Sequence, residues 1–366
     1  MRPEVITPII KISEICNFDC MFCYYSEEKS NAINLMNIEL CKKIIKDSFF
    51  FNYKNNIYRL KIIFHGGEPL LRGISFLKEI ISYEQYLINN CDKKFVIQNS
   101  IQTNGFLIDE EWCNLFKEHD FEVGVSIDGD EDLNYHYKDG TDKRVITRNV
   151  LKNINLLQST GVRFGILSVI TNKHSEYVRE FYKFIVENEI HSLGLCPCFN
   201  PENNFTVESD ALTKFYTQFF DMYFYNQYKL NIREFDSILK KLLNVKKGYP
   251  CNYSQRKFCG SFLTFDCTGN VFFCDKAYEK ERAIGNIFNQ TIDEIYLSNL
   301  FFKESQKCSE FYSKQCTNCE IKDICGGGCY RNDVEMSVNT TTNCFCESMK
   351  KLVFHIKNIL QNNINI

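Results

Sequence analysis

Cys16, Cys20 and Cys23 form a C-x3-C-x2-C pattern directly after an Ile-rich, alternating segment (residues 6–13) that reads as a strand. Three thiolates from one loop can hold three irons of a cubane 4Fe–4S cluster. The fourth iron then lacks a protein ligand and stays open to a small molecule, as a catalytic metal keeps an open position, whereas a structural zinc would want a fourth ligand nearby. His65, Gly66, Gly67, Glu68 and Pro69 follow the next predicted strand. Glycine lets backbone approach a ligand closely, although a tight βα turn also wants glycine. The Glu68 carboxylate can accept from an ammonium group. Gln102-Thr103-Asn104-Gly105 and Ser126-Ile127-Asp128-Gly129 end the two strands after that. Ordinary loop capping draws on the same residue types.

The cysteine count points the same way. Nineteen cysteines in 366 residues is an odd number in a large chain with no secretory signal in its first 15 residues. Metal ligation accounts for them better than a disulfide framework. Three lie in the first motif and eleven fall between Cys251 and Cys346, leaving a cysteine-poor body between two metal regions. A net charge of -3 gives no reason to expect nucleic acid or an anionic membrane surface as an obligate partner. No apolar run approaches the roughly 20 residues of a membrane span. A cytoplasmic location is expected.

These motifs need positioning elements. Predicted strands at 58–64, 94–98, 122–127, 163–170 and 192–195 alternate with predicted helices at 37–50, 76–89, 109–118, 148–160 and 175–187. Such alternation implies parallel β–α units with right-handed crossovers, about six of them, curved into a partial TIM-like barrel of α/β class. The motifs then sit where barrel chemistry sits, just after strand C-termini. Residues 206–250 read as a helical bridge whose aromatics pack a core. Residues 251–366 read as a small, loop-rich α+β domain closed by a helix at 349–362. The expected domains are thus 1–205, 206–250 and 251–366.

The C-x3-C-x2-C spacing, with the aromatic Tyr24 after it, resembles the radical S-adenosylmethionine (SAM) superfamily, in which the SAM amino and carboxylate groups chelate the open iron. The resemblance implies that Gly66, Gly67, Glu68 and Pro69 hold the SAM amino group. It implies that Gln102, Thr103, Asn104, Ser126 and Asp128 supply ribose- and carboxylate-side contacts. The pattern from Cys259 through Gly269 to Cys274, then Cys316-x2-Cys319-x5-Cys325-x3-Cys329 and Cys346, resembles the SPASM domain with its two auxiliary 4Fe–4S clusters. Carried over, Cys251, Cys259, Cys274 and Cys329 would hold one cluster, and Cys316, Cys319, Cys325 and Cys346 the other. Cys344 competes with Cys346, which is preferred for the polar helix start that follows it. A zinc ribbon is the competing reading of CxxC alone. Cys267 stands where the family often has proline. Cys41, Cys91 and Cys113 read as buried thiols, and the roles of Cys196 and Cys198 are open.

Almost the whole chain resembles anaerobic sulfatase-maturating enzymes and the related maturases of ribosomally made peptides. Residues 99–112 read like that group. So does Cys274-Asp275-x2-Tyr278, whose Asp is the proposed proton acceptor in the sulfatase maturases; a plain structural carboxylate is the alternative for Asp275. Two departures stand out: His65 replaces a Gln at the mouth of the expected SAM and substrate site, and an Arg expected after residue 129 is replaced near Lys138. His65 is commoner among peptide-crosslinking relatives. The N-terminus is too short for a separate leader-binding domain, so any leader would dock elsewhere. The expected protein carries SAM and three 4Fe–4S clusters, draws electrons from a flavodoxin or ferredoxin, and oxidises a residue of a peptide or protein. Side-chain crosslinking is preferred on His65, with formylglycine formation from Cys or Ser as the alternative. A ferredoxin-like electron carrier and a zinc-stabilised binding protein are the readings of another class.

Overall fold

The structure is a computed structural model that describes residues 3–20, 22–23, 35–136, 140–199, 205–245, 251–253, 259–277, 282–329, 331 and 344–364. Tyr24, Lys138, Tyr278 and the side chain of Cys344 lie outside the described residues. In chain order the elements are β1 (Ile9–Ser13), α1 (Ile38–Lys54), β2 (Arg59–Gly66), α2 (Ile74–Asn89), β3 (Val96–Thr103), α3 (Glu110–Glu118), β4 (Glu122–Ser126), α4 (Lys143–Thr160) and β5 (Arg163–Ile170). They continue with α5 (Val178–Glu187), β6 (Ser192–Pro197), α6 (Ser209–Tyr225), β7 (Asn231–Ile232), α7 (Arg233–Leu242), β8 (Thr264–Phe265), β9 (Asn270–Phe272) and β10 (Gly285–Asn286). The chain closes with α8 (Ile292–Tyr296), α9 (Asn299–Cys316), α10 (Lys322–Cys325) and α11 (Cys344–Ile364). The 18-residue α9 lies in a stretch that the sequence pattern reads as loop-rich.

Two compact units are each drawn from three stretches of chain. One comprises Met1–Ser126, Tyr137–Phe164 and Phe258–Lys307; the other comprises Ile127–His136, Gly165–Lys257 and Cys308–Ile366. In the first unit the strand order is β10-β9-β8-β1-β2-β3-β4. From β8 through β4 neighbours run parallel, and β9 and β10 add antiparallel. The late hairpin therefore extends the sheet built by the first hundred residues, with Thr264 beside Ile9 and Phe265 beside Ile10.

Helix boundaries follow from local chemistry. Asn37 caps α1 by accepting from the Glu39 N–H, Asp109 caps α3 from Trp112, and Asp142 caps α4 from Arg144. Gly161 ends α4 in the left-handed conformation at φ 69°. Helices α1 and α2 cover one face of β2 and β3. There Leu60, Ile62, Phe64 and Ile101 are buried, each contributing about 1.5–3 kcal/mol by leaving water. The opposite face is polar and incompletely buried. Lys61 pairs with Glu122 at 2.6 Å, Gln98 donates to Glu122 at 2.7 Å, and Gln102 donates to Ser126 at 2.9 Å. Burial thus alternates along β2.

In the second unit β5, β6 and β7 pair in parallel. Helix α6 packs on α11 and α5 through Phe215, Tyr216, Phe219 and Phe220, all at most 1% exposed. The aromatics of residues 206–250 therefore build core, as their periodicity suggested. No helix among the described residues is long and apolar enough to cross a membrane.

Candidate active site

The loop after β1 carries the first three cysteines. Cys20 and Cys23 both act electrostatically on Cys16, so the three thiols lie close together. Burial pushes the Cys16 thiol up to about 12, so a thiolate there needs a positively charged partner to be the stable form. Among the described residues no three His, Cys, Asp or Glu side chains converge on a single-ion site. Thiols that bind different irons of one cluster need not converge on a point. Phe272 of β9 packs against Cys23, bringing the late hairpin to the first cysteine loop.

The glycines of the second motif serve this loop directly. Gly66 has φ 144°, and a Cβ on it would lie 2.0 Å from the Ser13 carbonyl oxygen; on Gly67 it would lie 2.5 Å from that of Ile15. The Gly67 and Glu68 N–H groups donate to the Ser13 and Ile15 carbonyls at 2.7 and 2.8 Å. Close backbone approach is thus required by the chain leading into Cys16. Glu68 is fully buried, with Oε1 accepting from Leu70 N–H and Thr103 Oγ1 and Oε2 from Asn104 N–H. A carboxylate has roughly four acceptor positions, so three donors leave room for one more. Burial raises its carboxyl to about 7 against those three bonds. Pro69 opens the short 3-10 turn that Glu68 caps.

Asn104 joins the two motifs. Its Nδ2 donates to Asn17 Oδ1 at 2.8 Å and lies 3.9 Å from Cys16 Sγ. Asn17 Nδ2, beside Cys16, is a buried donor that meets no acceptor among the described residues. Asn17 is a residue that sequence reasoning passed over; its place between the first two cysteines was the available signal. The fourth motif is different in kind. Asp128 is fully buried, with Oδ1 accepting from Val169 N–H at 2.8 Å and Oδ2 from Tyr135 N–H at 3.4 Å, and His136 stands 3.6 Å from Oδ2. These contacts tie the loop after β4 to β5.

Asp275 opens the 3-10 turn after β9 and forms an ion pair with Lys11 Nζ at 2.9 Å; Lys11 is fully buried in β1. Lys11 is the register partner of His65 across β1 and β2, and both Asp275 and Lys11 act electrostatically on the imidazole. Burial lowers the His65 pKa below its ordinary value. The Gly66 N–H donates to Nδ1 at 2.8 Å, so the neutral ring carries its proton on Nε2. The three side chains Lys11, His65 and Asp275 therefore gather from sequence positions more than 200 residues apart. Lys11 was not singled out in the sequence, although a lysine inside the segment IIKIS was visible there.

In the second unit Cys316 and Cys319 act electrostatically on Cys325, and a Cβ on Gly327 would come within 3.3 Å of Cys316 Sγ. Burial pushes the Cys325 thiol up to about 11. Cys346 lies in the first turn of α11. Cys251 and Cys329 belong to this unit, Cys259 and Cys274 to the other. Cys196 at the end of β6 receives Arg233 Nη2 at 3.8 Å, Cys198 is buried, and Cys41 and Cys113 are fully buried thiols.

Comparison with known proteins agrees with this arrangement. Residues 10–185 match the radical SAM superfamily, and residues 258–320 match the SPASM iron–sulfur cluster-binding domain. A cysteine-type anaerobic sulfatase-maturating enzyme of Clostridium novyi is 30% identical over 362 residues, covering 95% of this chain and 93% of that protein. A serine-type enzyme of Bacteroides thetaiotaomicron is 28% identical, covering 88% and 81%. The solved structure of native anSMEcpe with bound AdoMet and the Cp18Cys peptide superposes with a TM-score of 0.83 at 25% identity, covering 98% of this chain and 99% of that one. The fold is thus the α/β partial barrel of these enzymes with its C-terminal SPASM region, as the strand–helix alternation implied. Family membership brings with it SAM and iron–sulfur clusters, and the cysteine loops described above have the donor set for them. The chain belongs to the radical SAM superfamily and carries its SPASM domain, with full-length kinship to the anaerobic sulfatase-maturating enzymes.

Proposed function

We propose that the chain oxidises a Cys or Ser residue of a peptide or protein to formylglycine, using SAM and three 4Fe–4S clusters. Cys16, Cys20 and Cys23 would hold the first cluster. Cys251, Cys259, Cys274 and Cys329 would hold the second, and Cys316, Cys319, Cys325 and Cys346 the third. Electrons would come from an external flavodoxin or ferredoxin. When bound, these groups supply a 5′-deoxyadenosyl radical that takes one hydrogen atom from the substrate, and an electron acceptor for the next step. The protein's share is to bind, orient and take the remaining proton.

Glu68 has acceptor capacity for the SAM ammonium, with Gly66, Gly67 and Pro69 shaping the turn that presents it. Gln102, Thr103, Asn104 and Ser126 line the strand ends beside it. Asn17 Nδ2 is the kind of donor that hydrogen-bonds a cluster sulfur. The observation that carries the reading is Asp275, an ion-paired carboxylate beside a neutral imidazole, which suits it to accept the proton of a substrate thiol or hydroxyl.

The choice of product turns on His65. Its departure from the maturases' Gln favoured crosslinking as long as the ring could carry charge. A neutral ring with its proton on Nε2 is a donor of the same kind as an amide N–H, so the departure no longer separates the two readings. Full-length similarity to cysteine-type and serine-type maturases then favours the aldehyde. The test incubates anaerobically reduced enzyme and SAM with a sulfatase-type Cys peptide and a Ser peptide, and in parallel with any small precursor encoded nearby. A mass change fitting an aldehyde on either sulfatase-type peptide is the expected outcome. Loss of two hydrogens from the precursor alone, with a fragmentation-resistant segment, would replace this reading with crosslinking.

A further inference from the structure

We propose that Lys11 is a positioning residue for Asp275: it fixes the carboxylate in the orientation that takes the substrate proton. The inference rests on the reading of Asp275 as proton acceptor. Lys11 sits in the middle of β1, in a run of five buried residues, with no exposure of its own. Its Nζ holds Asp275 Oδ1 at 2.9 Å, and its backbone carbonyl accepts from Cys267 Sγ at 3.1 Å, in the hairpin that leads to Asp275. Its register partner is His65. One β-strand residue thereby touches both the hairpin that carries the carboxylate and the strand that carries the imidazole.

Stability does not explain a lysine here. Removing an ammonium from water is costly, and replacing a buried ion pair by apolar or neutral groups of similar volume is often neutral or stabilising. The strand around it is otherwise aliphatic, with Ile9, Ile10 and Ile12 buried. The pairing instead gives direction. Asp275 opens a 3-10 turn past the end of β9, and part of its side chain reaches solvent. Proton transfer needs the carboxylate within hydrogen-bonding reach of the substrate, and the Lys11 ammonium favours the rotamer that the ion pair holds.

The substrate residue –CH2–XH, with X sulfur or oxygen, gives one hydrogen atom to the 5′-deoxyadenosyl radical. It gives one electron to an auxiliary iron–sulfur cluster and one proton to Asp275, leaving a C=X double bond that water then hydrolyses or hydrates. Lys11 touches none of these atoms; it acts through Asp275.

The test compares wild type, Lys11→Met, Lys11→Gln, Asp275→Asn and Lys11→Met/Asp275→Asn on a sulfatase-type Cys peptide deuterated at the β-carbon. Three quantities are read: deuterium transferred to 5′-deoxyadenosine, aldehyde formed per 5′-deoxyadenosine, and Tm. Lys11→Met should keep deuterium transfer within about threefold of wild type while aldehyde per 5′-deoxyadenosine falls about tenfold or more. The double variant should be no worse than Asp275→Asn alone, because the two residues act as one unit. Its Tm should equal or exceed that of wild type. Lys11→Gln, which retains a donor toward Asp275, should regain part of the coupling. Wild-type coupling in Lys11→Met, with Asp275→Asn uncoupled, overturns the role of Lys11 and leaves that of Asp275 standing. Wild-type coupling in Asp275→Asn overturns the reading of Asp275 itself. Loss of iron or of SAM cleavage in both single Lys11 variants would assign Lys11 to the first cysteine loop and overturn the proposal as well.

Discussion

Buried carboxylates divide here by what surrounds them. Glu68 is met by three donors and has capacity for a fourth, whereas Glu84 on α2 is 3% exposed and meets only Asn99 Nδ2, at 2.7 Å. Among the described residues Glu84 Oε1 and Asn99 Oδ1 are both buried without a partner. Burial raises the Glu84 carboxyl to about 8. In the unfolded chain the same group titrates near its ordinary value, so the folded protein binds the extra proton between the two. The stability associated with the protonated form is therefore complete below about 4.5 and is lost as pH rises through about 8. Glu84→Gln removes this titration while keeping an acceptor for Asn99. Its Tm should match wild type at pH 5 and exceed it at pH 9, as read by thermal denaturation at both pH values. An equal Tm at pH 9 would mean that Glu84 ionises in the fold without penalty. The chemistry of Glu84 was not legible in the sequence, because a lone Glu in an amphipathic helix reads as surface until the packing of α2 on β3 is known.

At the scale of elements, the turn after β2 and the loop after β1 form one construction. Gly66 and Gly67 touch Ser13 and Ile15, and Glu68 ties the turn to Asn104, which in turn reaches Asn17. Gly66→Ala brings a Cβ against the Ser13 carbonyl at a φ of 144°. Strain of that kind costs on the order of 1–3 kcal/mol even where neighbours can move. We expect Gly66→Ala to lower Tm and to lose iron from the first cysteine loop while iron held by the SPASM cysteines stays. Iron analysis with EPR of the reduced protein checks this, and full iron with unchanged Tm would show that the loop tolerates the displacement. Sequence pattern placed this turn after a strand correctly. That its glycines face backbone follows only from the Ser13–Gly66 register, which includes a bulge between Lys11 and Ser13.

For the molecule as a whole, eleven proposed ligand cysteines in three groups set the expected iron content at about twelve per chain if every cluster is 4Fe–4S. Changing Cys16, Cys20 and Cys23 together to Ala should remove about a third of that iron and abolish 5′-deoxyadenosine formation, leaving the remaining two-thirds. Iron and sulfide assays with a SAM-cleavage assay measure both. Undiminished 5′-deoxyadenosine would place the reactive cluster elsewhere in the chain.

What the residues determine unaided is the chemistry that depends on spacing along the chain. The three cysteines of one loop, the glycine turn after a strand, the cysteine series near the C-terminus and the strand–helix alternation are all local patterns, set by reach and periodicity. The turn at Gly269 is likewise local: Asp266 Oδ1 accepts from the Thr268 and Asn270 N–H groups and holds the hairpin of β8 and β9. Only the tertiary structure decided that this hairpin adds to β1, that Lys11 meets Asp275, and that His65 is a neutral donor. Each of these depends on burial and on which distant strand lies alongside. Burial determines whether an imidazole or a carboxyl is charged, and strand order determines which charge stands opposite it.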